Sequence, residues 1–189
     1  MTMNHQIETP NLRMTVYCAL FTALIIIGAY ISIPLPIGPV PITLADFFVM
    51  LAGLFIGGKY GLLSVILYLA LGAIGMPIFS GGGSGFAFLL GPTGGFLFGY
   101  LFLVATIGFI KDKEKASFTT VVIGIIIGNL LLYASGILWL KITLDMSLKV
   151  AIAAGLIPFL PGTLIKISVI LAIERMMIPR FKAHMMRLK

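Results

Sequence analysis

The chain has 189 residues, 60% of them hydrophobic and 10% charged, with a formal net charge of +7. Such usage excludes an ordinary soluble domain and a disordered chain and describes an integral membrane protein. At about 20 residues per helical crossing, six crossings take about 120 residues, so residues 1–189 make one compact all-α membrane domain with short loops.

Residues 1–13 form a polar tail. The first apolar stretch, about 14–33, is longer than the apolar region of a signal peptide and is not followed by a clear small-residue cleavage site, so it is expected to be a retained span. Cys18, the single cysteine, lies in it; a disulfide within the chain is impossible and a small buried hydrophobe is expected. Ala19 and Ala23 make a stripe of small residues that faces either another helix of the chain or a separate subunit. The loop SIPLPIGPVPIT, residues 32–43, carries four prolines and no charge and should be stiff and extended.

Spans two and three cover about 42–58 and 60–76, and Gly53, Gly57 and Gly61 recur every fourth residue. Next comes FSGGGSGFAFLLGPTGG, residues 79–95, in which four of the six residues from Ser80 to Gly85 are glycine. It reads as a flexible strip whose backbone amides can approach a ligand. With the proline-rich loop it suggests a lid. Gly91, just before span four (about 92–110), and Gly95 and Gly99 within it recur at the same spacing, which favours close helix contact. The run KDKEK, Lys111 to Lys115, reads as a solvated topology anchor.

Span five, about 118–140, has its own close-packing pair in Gly124 and Gly128, and places Asn129, Tyr133 and Gly136 along one helical face. The last stretch, about 150–177, is broken by Pro158 and Pro161. The region 148–157 should be a short helix outside the bilayer core, and the final span should restart at Pro161. The basic tail 178–189 follows, completing a bundle over 14–177. His5 and His184 sit in opposite tails, which argues against a metal site.

Placing the amino terminus in the cytoplasm puts Arg13, Lys59, Lys111, Lys113, Lys115, Arg175, Arg180, Lys182, Arg187 and Lys189 inside and leaves Lys141 and Lys149 outside. This distribution predicts a cell-membrane protein with both termini cytoplasmic. The basic residues therefore set topology and do not point to nucleic acid.

Lys166 is the costly residue. A lysine deep in an apolar helix is unfavourable by about 2.5 to 3.5 kcal/mol on insertion scales, and near a helix start the dipole adds to the cost. Three partners would relieve it, Asp46, a helix carboxy-terminus or an anionic ligand, and the remaining alternative is snorkelling to the outer surface. The other polar residues within the spans are Thr43, Asp46, Asn129, Tyr133 and Thr163, whose alternative use is hydrogen bonding between helices. Neither glycine-rich segment ends in the Gly-Lys-Ser/Thr of a P-loop, and no HExxH, no GxSxG context and no paired intramembrane carboxylates are present, so neither ATP hydrolysis nor enzymatic catalysis is expected. A standalone facilitator or proton-coupled carrier and a non-transporting scaffold are the competing classes; the chain has no duplicated halves to favour the former.

Three segments, PVPITLADFFVMLAGLFIG (39–57), FSGGGSGFAFLLGPTGGFLFGY (79–100) and IPFLPGTLIKI (157–167), resemble in order the signature segments of the BioY family, the biotin-specific substrate-binding subunits (S components) of energy-coupling factor transporters. The resemblance implies a six-helix bundle that captures biotin at the outer face and works with a transmembrane coupling subunit and two cytoplasmic ATPases. ATP would be used only by those partners, and the chain itself would need no cofactor. It further implies that Lys166 pairs with the biotin carboxylate, that Asn129 and Tyr133 hold the ring or ureido group, and that Thr43, Ser84 and Gly85 close the site. Phe47, Gly91 and Thr163 complete the implied site, and Ala19 and Ala23 match the face presented to the coupling subunit. The family often has Gln-Thr at Ala45-Asp46 and Asp at Thr163, so a compensating role for Asp46 is an open question.

Overall fold

In the computed structural model the described residues are 12–36, 38–112 and 117–176. They form seven helices and one two-stranded ribbon, in chain order α1 (Leu12–Tyr30), β1 (Ser32–Ile33), β2 (Ile42–Thr43), α2 (Ala45–Ala73), α3 (Phe86–Leu90), α4 (Gly94–Lys111), α5 (Phe118–Thr143), α6 (Leu148–Gly155) and α7 (Leu160–Met176). Only the ends of the proline-rich loop are extended strands, and the described residues between them include a turn at Pro36 and a bend at Pro39. Its ends pair antiparallel, Ser32 with Thr43 and Ile33 with Ile42.

Helix α2 contains two crossings. At Gly57 the backbone turns to φ 75°, ψ −174°, a conformation open to glycine and strained for other residues. A straight helix would hold Asp46 and Tyr68 about 33 Å apart, yet both line one hollow. The two arms, 45–56 and 58–73, therefore run antiparallel. The turn is seated against the end of α4, where the Asp112 carboxylate accepts from the Gly58 N–H at 2.8 Å. A Cβ on Gly57 would lie 2.1 Å from Asp112 Oδ1, so Gly57→Val meets both a forbidden φ and a collision. It is expected to destabilise the protein by more than about 3 kcal/mol, read as a lower unfolding temperature in detergent.

With the turn counted, the chain crosses six times, and Leu12 and Met176 lie at the same end. Helix α4 packs between α2 and α5, and α1 lies against α2. The glycine stripes serve this packing: Gly99 of α4 faces Leu132 and Ser135 of α5, and Gly53 of α2 faces Val104 and Ile107 of α4. Cys18 is buried, and its carbonyl accepts from the Ser64 hydroxyl at 3.1 Å, tying α1 to the second arm of α2. Ser117 and Ser147 cap α5 and α6 by accepting from the N–H groups of Thr120 and Val150.

Helix α7 starts at Leu160, one residue before the expected restart, and its inner face is unusually polar. Its buried residues are Thr163, Ile170 and Glu174. Glu174 forms an ion pair with Lys111 at the end remote from Lys166, their side chains only 9% and 16% exposed. For Lys111 and Asp112, this corrects the reading of KDKEK as solvated. Lys111 is a partner for a buried carboxylate and Asp112 caps the α2 turn, while residues 113–115 lie outside the described part. Glu174→Ala would leave Lys111 without its carboxylate and should cost on the order of 3 kcal/mol. Lys111→Met combined with Glu174→Leu should recover most of that loss in the same thermal-unfolding measurement. The basic tail, His5 and His184 also lie outside the described residues.

Candidate functional site

The unwound and short elements gather at the other end: the β1–β2 ribbon, the loop from 74 to 93 with α3, and α6. Here Lys166 reaches from α7 toward the start of α2. Its ammonium donates to Asp46 Oδ1 at 2.7 Å, to Asp46 Oδ2 at 2.9 Å and to the Thr43 carbonyl at 2.7 Å. An ammonium has three N–H donors, and all three are used. The two side chains are 12% and 10% exposed, so the pair is shielded from water. Of the alternatives open to Lys166 on sequence grounds, the ion pair with Asp46 is the one present. Asp46 can approach because it sits in the first turn of α2, directly after β2.

Beside this pair lies a hollow of about 50 Å³, room for a few waters. Six helices contribute to its wall: Ala29 from α1, Asp46 and Tyr68 from the two arms of α2, Phe88 from α3, Phe96 and Tyr100 from α4, Leu132 and Tyr133 from α5, and Lys166 from α7. Phe159, just before α7, stacks on Phe96 with ring centroids 6.1 Å apart. A wider cleft of about 590 Å³ opens next to the hollow between the proline-rich loop and the residues around α3. The two spaces share Pro41, Ser80, Phe88 and Thr93. The ring of Phe88 therefore stands at the boundary between an inner polar-aromatic chamber and an open vestibule.

Of the residues singled out by sequence, Thr43, Tyr133 and Lys166 meet in the wall of the hollow. Thr163 sits directly behind, hydrogen bonded to the Tyr133 hydroxyl. Asn129 is buried one turn farther along α5, its amide N–H group donating to the Ile125 carbonyl at 2.8 Å and to the Met50 sulfur at 3.6 Å. Its Oδ1 has no partner among the described residues, an unsatisfied acceptor in a buried position. Gly91 lines the wider cleft, and its carbonyl accepts from the Trp139 indole at 3.0 Å.

The others stand apart. Phe47 is packed edge-on against Phe48 and is not in the wall. Ser84 is exposed, and Gly85, at φ 85°, serves the chain turn by donating its N–H to the Gly72 carbonyl at 2.7 Å. The glycine-rich segment is also less free than its composition suggested. Phe79 is fully buried, with its ring 5.2 Å from that of Phe88 and 5.4 Å from that of Tyr68, and it pins the loop to α2. Tyr68, Phe96, Tyr100 and Phe159 were not singled out as site residues. Tyrosine inside an apolar span is the signal that could have drawn attention to two of them, since a buried hydroxyl needs a partner.

A helical membrane bundle with a small aromatic chamber, one ammonium in its wall and a vestibule leading to it has the form of a small-molecule-binding membrane protein. The chain belongs to the BioY family, whose model matches residues 3–183. The biotin transporter BioY of Thermotoga maritima is 42% identical over 158 residues, covering 84% of this chain and 91% of that protein. The biotin transporter BioY of Lactococcus lactis subsp. cremoris is 35% identical over 181 residues and 93% of each chain. Among solved structures, the S-component for biotin from an ECF-type ABC transporter aligns with a TM-score of 0.78 and 33% identity over 93% of each chain.

Proposed function

We propose that this chain is the substrate-binding S component of an energy-coupling factor importer and that its substrate is biotin. The observation that carries the reading is the shielded Lys166 ammonium in the wall of an aromatic chamber, in a member of this family. Biotin matches that inventory: one carboxylate for one ammonium, an apolar fused ring for Phe96, Phe159 and Tyr133, and ureido N–H donors for an acceptor such as Asn129 Oδ1.

Because the chamber holds only about 50 Å³, the ligand enters as Phe88 and the proline-rich loop move away from each other. The vestibule would face outward, with both termini cytoplasmic, an orientation supported by the distribution of basic residues. The chain would do no chemistry and use no cofactor. Import would draw on ATP hydrolysed by two cytoplasmic ATPases through a transmembrane coupling subunit. The small residues Ala19 and Ala23 are exposed on α1 and would meet that subunit. Calorimetric titration of the purified chain against biotin and a panel of other vitamins tests this: tight 1:1 binding of biotin alone is expected, and absence of biotin binding refutes it.

A further inference from the structure

All three N–H groups of Lys166 are already engaged, two by the Asp46 carboxylate and one by the Thr43 carbonyl. A ligand carboxylate therefore cannot simply be added to the ammonium. It must replace an existing acceptor, and Asp46, which holds two of the three bonds, is the one that can yield a bond and remain attached.

Replacement creates a charge problem. Asp46 and Lys166 are the charged side chains among the described residues lining the hollow, and together they are neutral. The groups that face them from the remaining elements are uncharged at neutral pH: Tyr68 from the second arm of α2, Tyr100 from α4, Tyr133 from α5 and Ala29 from α1. A bound carboxylate would put two anions on one cation, with a net negative charge in a chamber walled by apolar side chains. Two carboxylates sharing one buried site are not both ionised; one takes a proton. The proton also changes the contact between them. A neutral Asp46 carries an O–H that donates to the ligand carboxylate, which converts a repulsion into a short, charge-assisted hydrogen bond.

We propose that Asp46 is a proton-binding site coupled to ligand capture: the ligand carboxylate replaces one Asp46 oxygen on the Lys166 ammonium, and Asp46 takes up one proton from solvent. The step consumes one proton per ligand and forms no other bond to hydrogen. The vestibule shared through Pro41, Ser80, Phe88 and Thr93 supplies the route from water. The proposal rests on the reading of Lys166 as the partner of the biotin carboxylate.

The test is titration of the purified full chain with biotin at one pH in two buffers of different ionisation enthalpy. The difference in observed heat gives the protons taken up per biotin. About one proton is expected near neutral pH, and Kd should weaken by about tenfold per pH unit between about pH 6 and pH 8. In Asp46→Asn the proton count should fall to zero and the pH dependence should vanish, with tighter binding than wild type at the alkaline end. Biotin binding with no proton uptake and a flat pH profile in the wild type overturns the proposal and leaves the biotin reading intact. Unchanged proton uptake in Asp46→Asn overturns the assignment to Asp46. Failure of the wild type to bind biotin at all overturns both. Should Asp46→Asn fail to fold, the wild-type proton count alone decides.

Discussion

Lys166→Ala is expected to weaken biotin binding by about a hundredfold or more, the usual consequence of removing one partner from a shielded charge pair. Two effects add. The ligand carboxylate loses its cation, and Asp46 loses the ammonium it is paired with, so that two carboxyl groups meet in the site with no positive charge between them. Biotin amide has no charge to lose or to repel, and its affinity should change by less than about tenfold. The combination Lys166→Ala with Asp46→Asn separates the two effects. It removes the second carboxyl group, so biotin affinity should recover part of the way and the preference for acid over amide should disappear. The measurement is calorimetry with both ligands. An unchanged ratio of biotin to biotin-amide affinity in Lys166→Ala would rule out the ion pair with the ligand.

Bulky residues at Ala19 and Ala23 should abolish uptake and spare binding. Both alanines are exposed on α1, on the face that also exposes Val16, Leu20 and Ile27, while Phe21, Thr22 and Ile25 turn inward. Both positions are exposed, so a tryptophan at either can point away from its own bundle, and biotin affinity of the isolated chain should stay within about twofold. Close helix contact with another membrane subunit depends on small side chains, and there the same substitution intrudes. Uptake by cells carrying the complete importer should fall by more than about tenfold. Loss of biotin binding would show that this face is needed within the chain, and normal uptake would show that no subunit docks on it.

The six crossings were legible because each is a long apolar run, and the break at Pro158 and Pro161 located the start of α7 to within a residue. Lys166 was legible because charge inside such a run has few uses. Its present partner, Asp46, was among the alternatives, but the choice between them was not legible, since sequence periodicity assigns a residue to a face of its own helix and is silent on which helix comes opposite. The same limit hid the pair between Lys111 and Glu174. Yet Lys166, Ile170 and Glu174 recur every fourth residue, so Glu174 shares the face of Lys166, and an acidic residue there called for a basic partner. Phe47 lies outside the wall of the hollow for a related reason. It neighbours Asp46, but on a helix adjacent residues point about 100° apart, and Phe47 packs against Phe48 instead of the hollow. The glycine-rich loop was read from composition as free chain; the aromatic rings of Phe79 and Phe88, stacked on each other, determine its path.

The most direct test is a structure of the chain with biotin bound. The account places a carboxylate oxygen of the ligand within about 3 Å of Lys166 Nζ, with Asp46 reduced to a single contact on the ammonium and the fused ring beside Phe96 and Tyr133. A biotin carboxylate turned toward the vestibule, with Lys166 still held by both oxygens of Asp46, would contradict it.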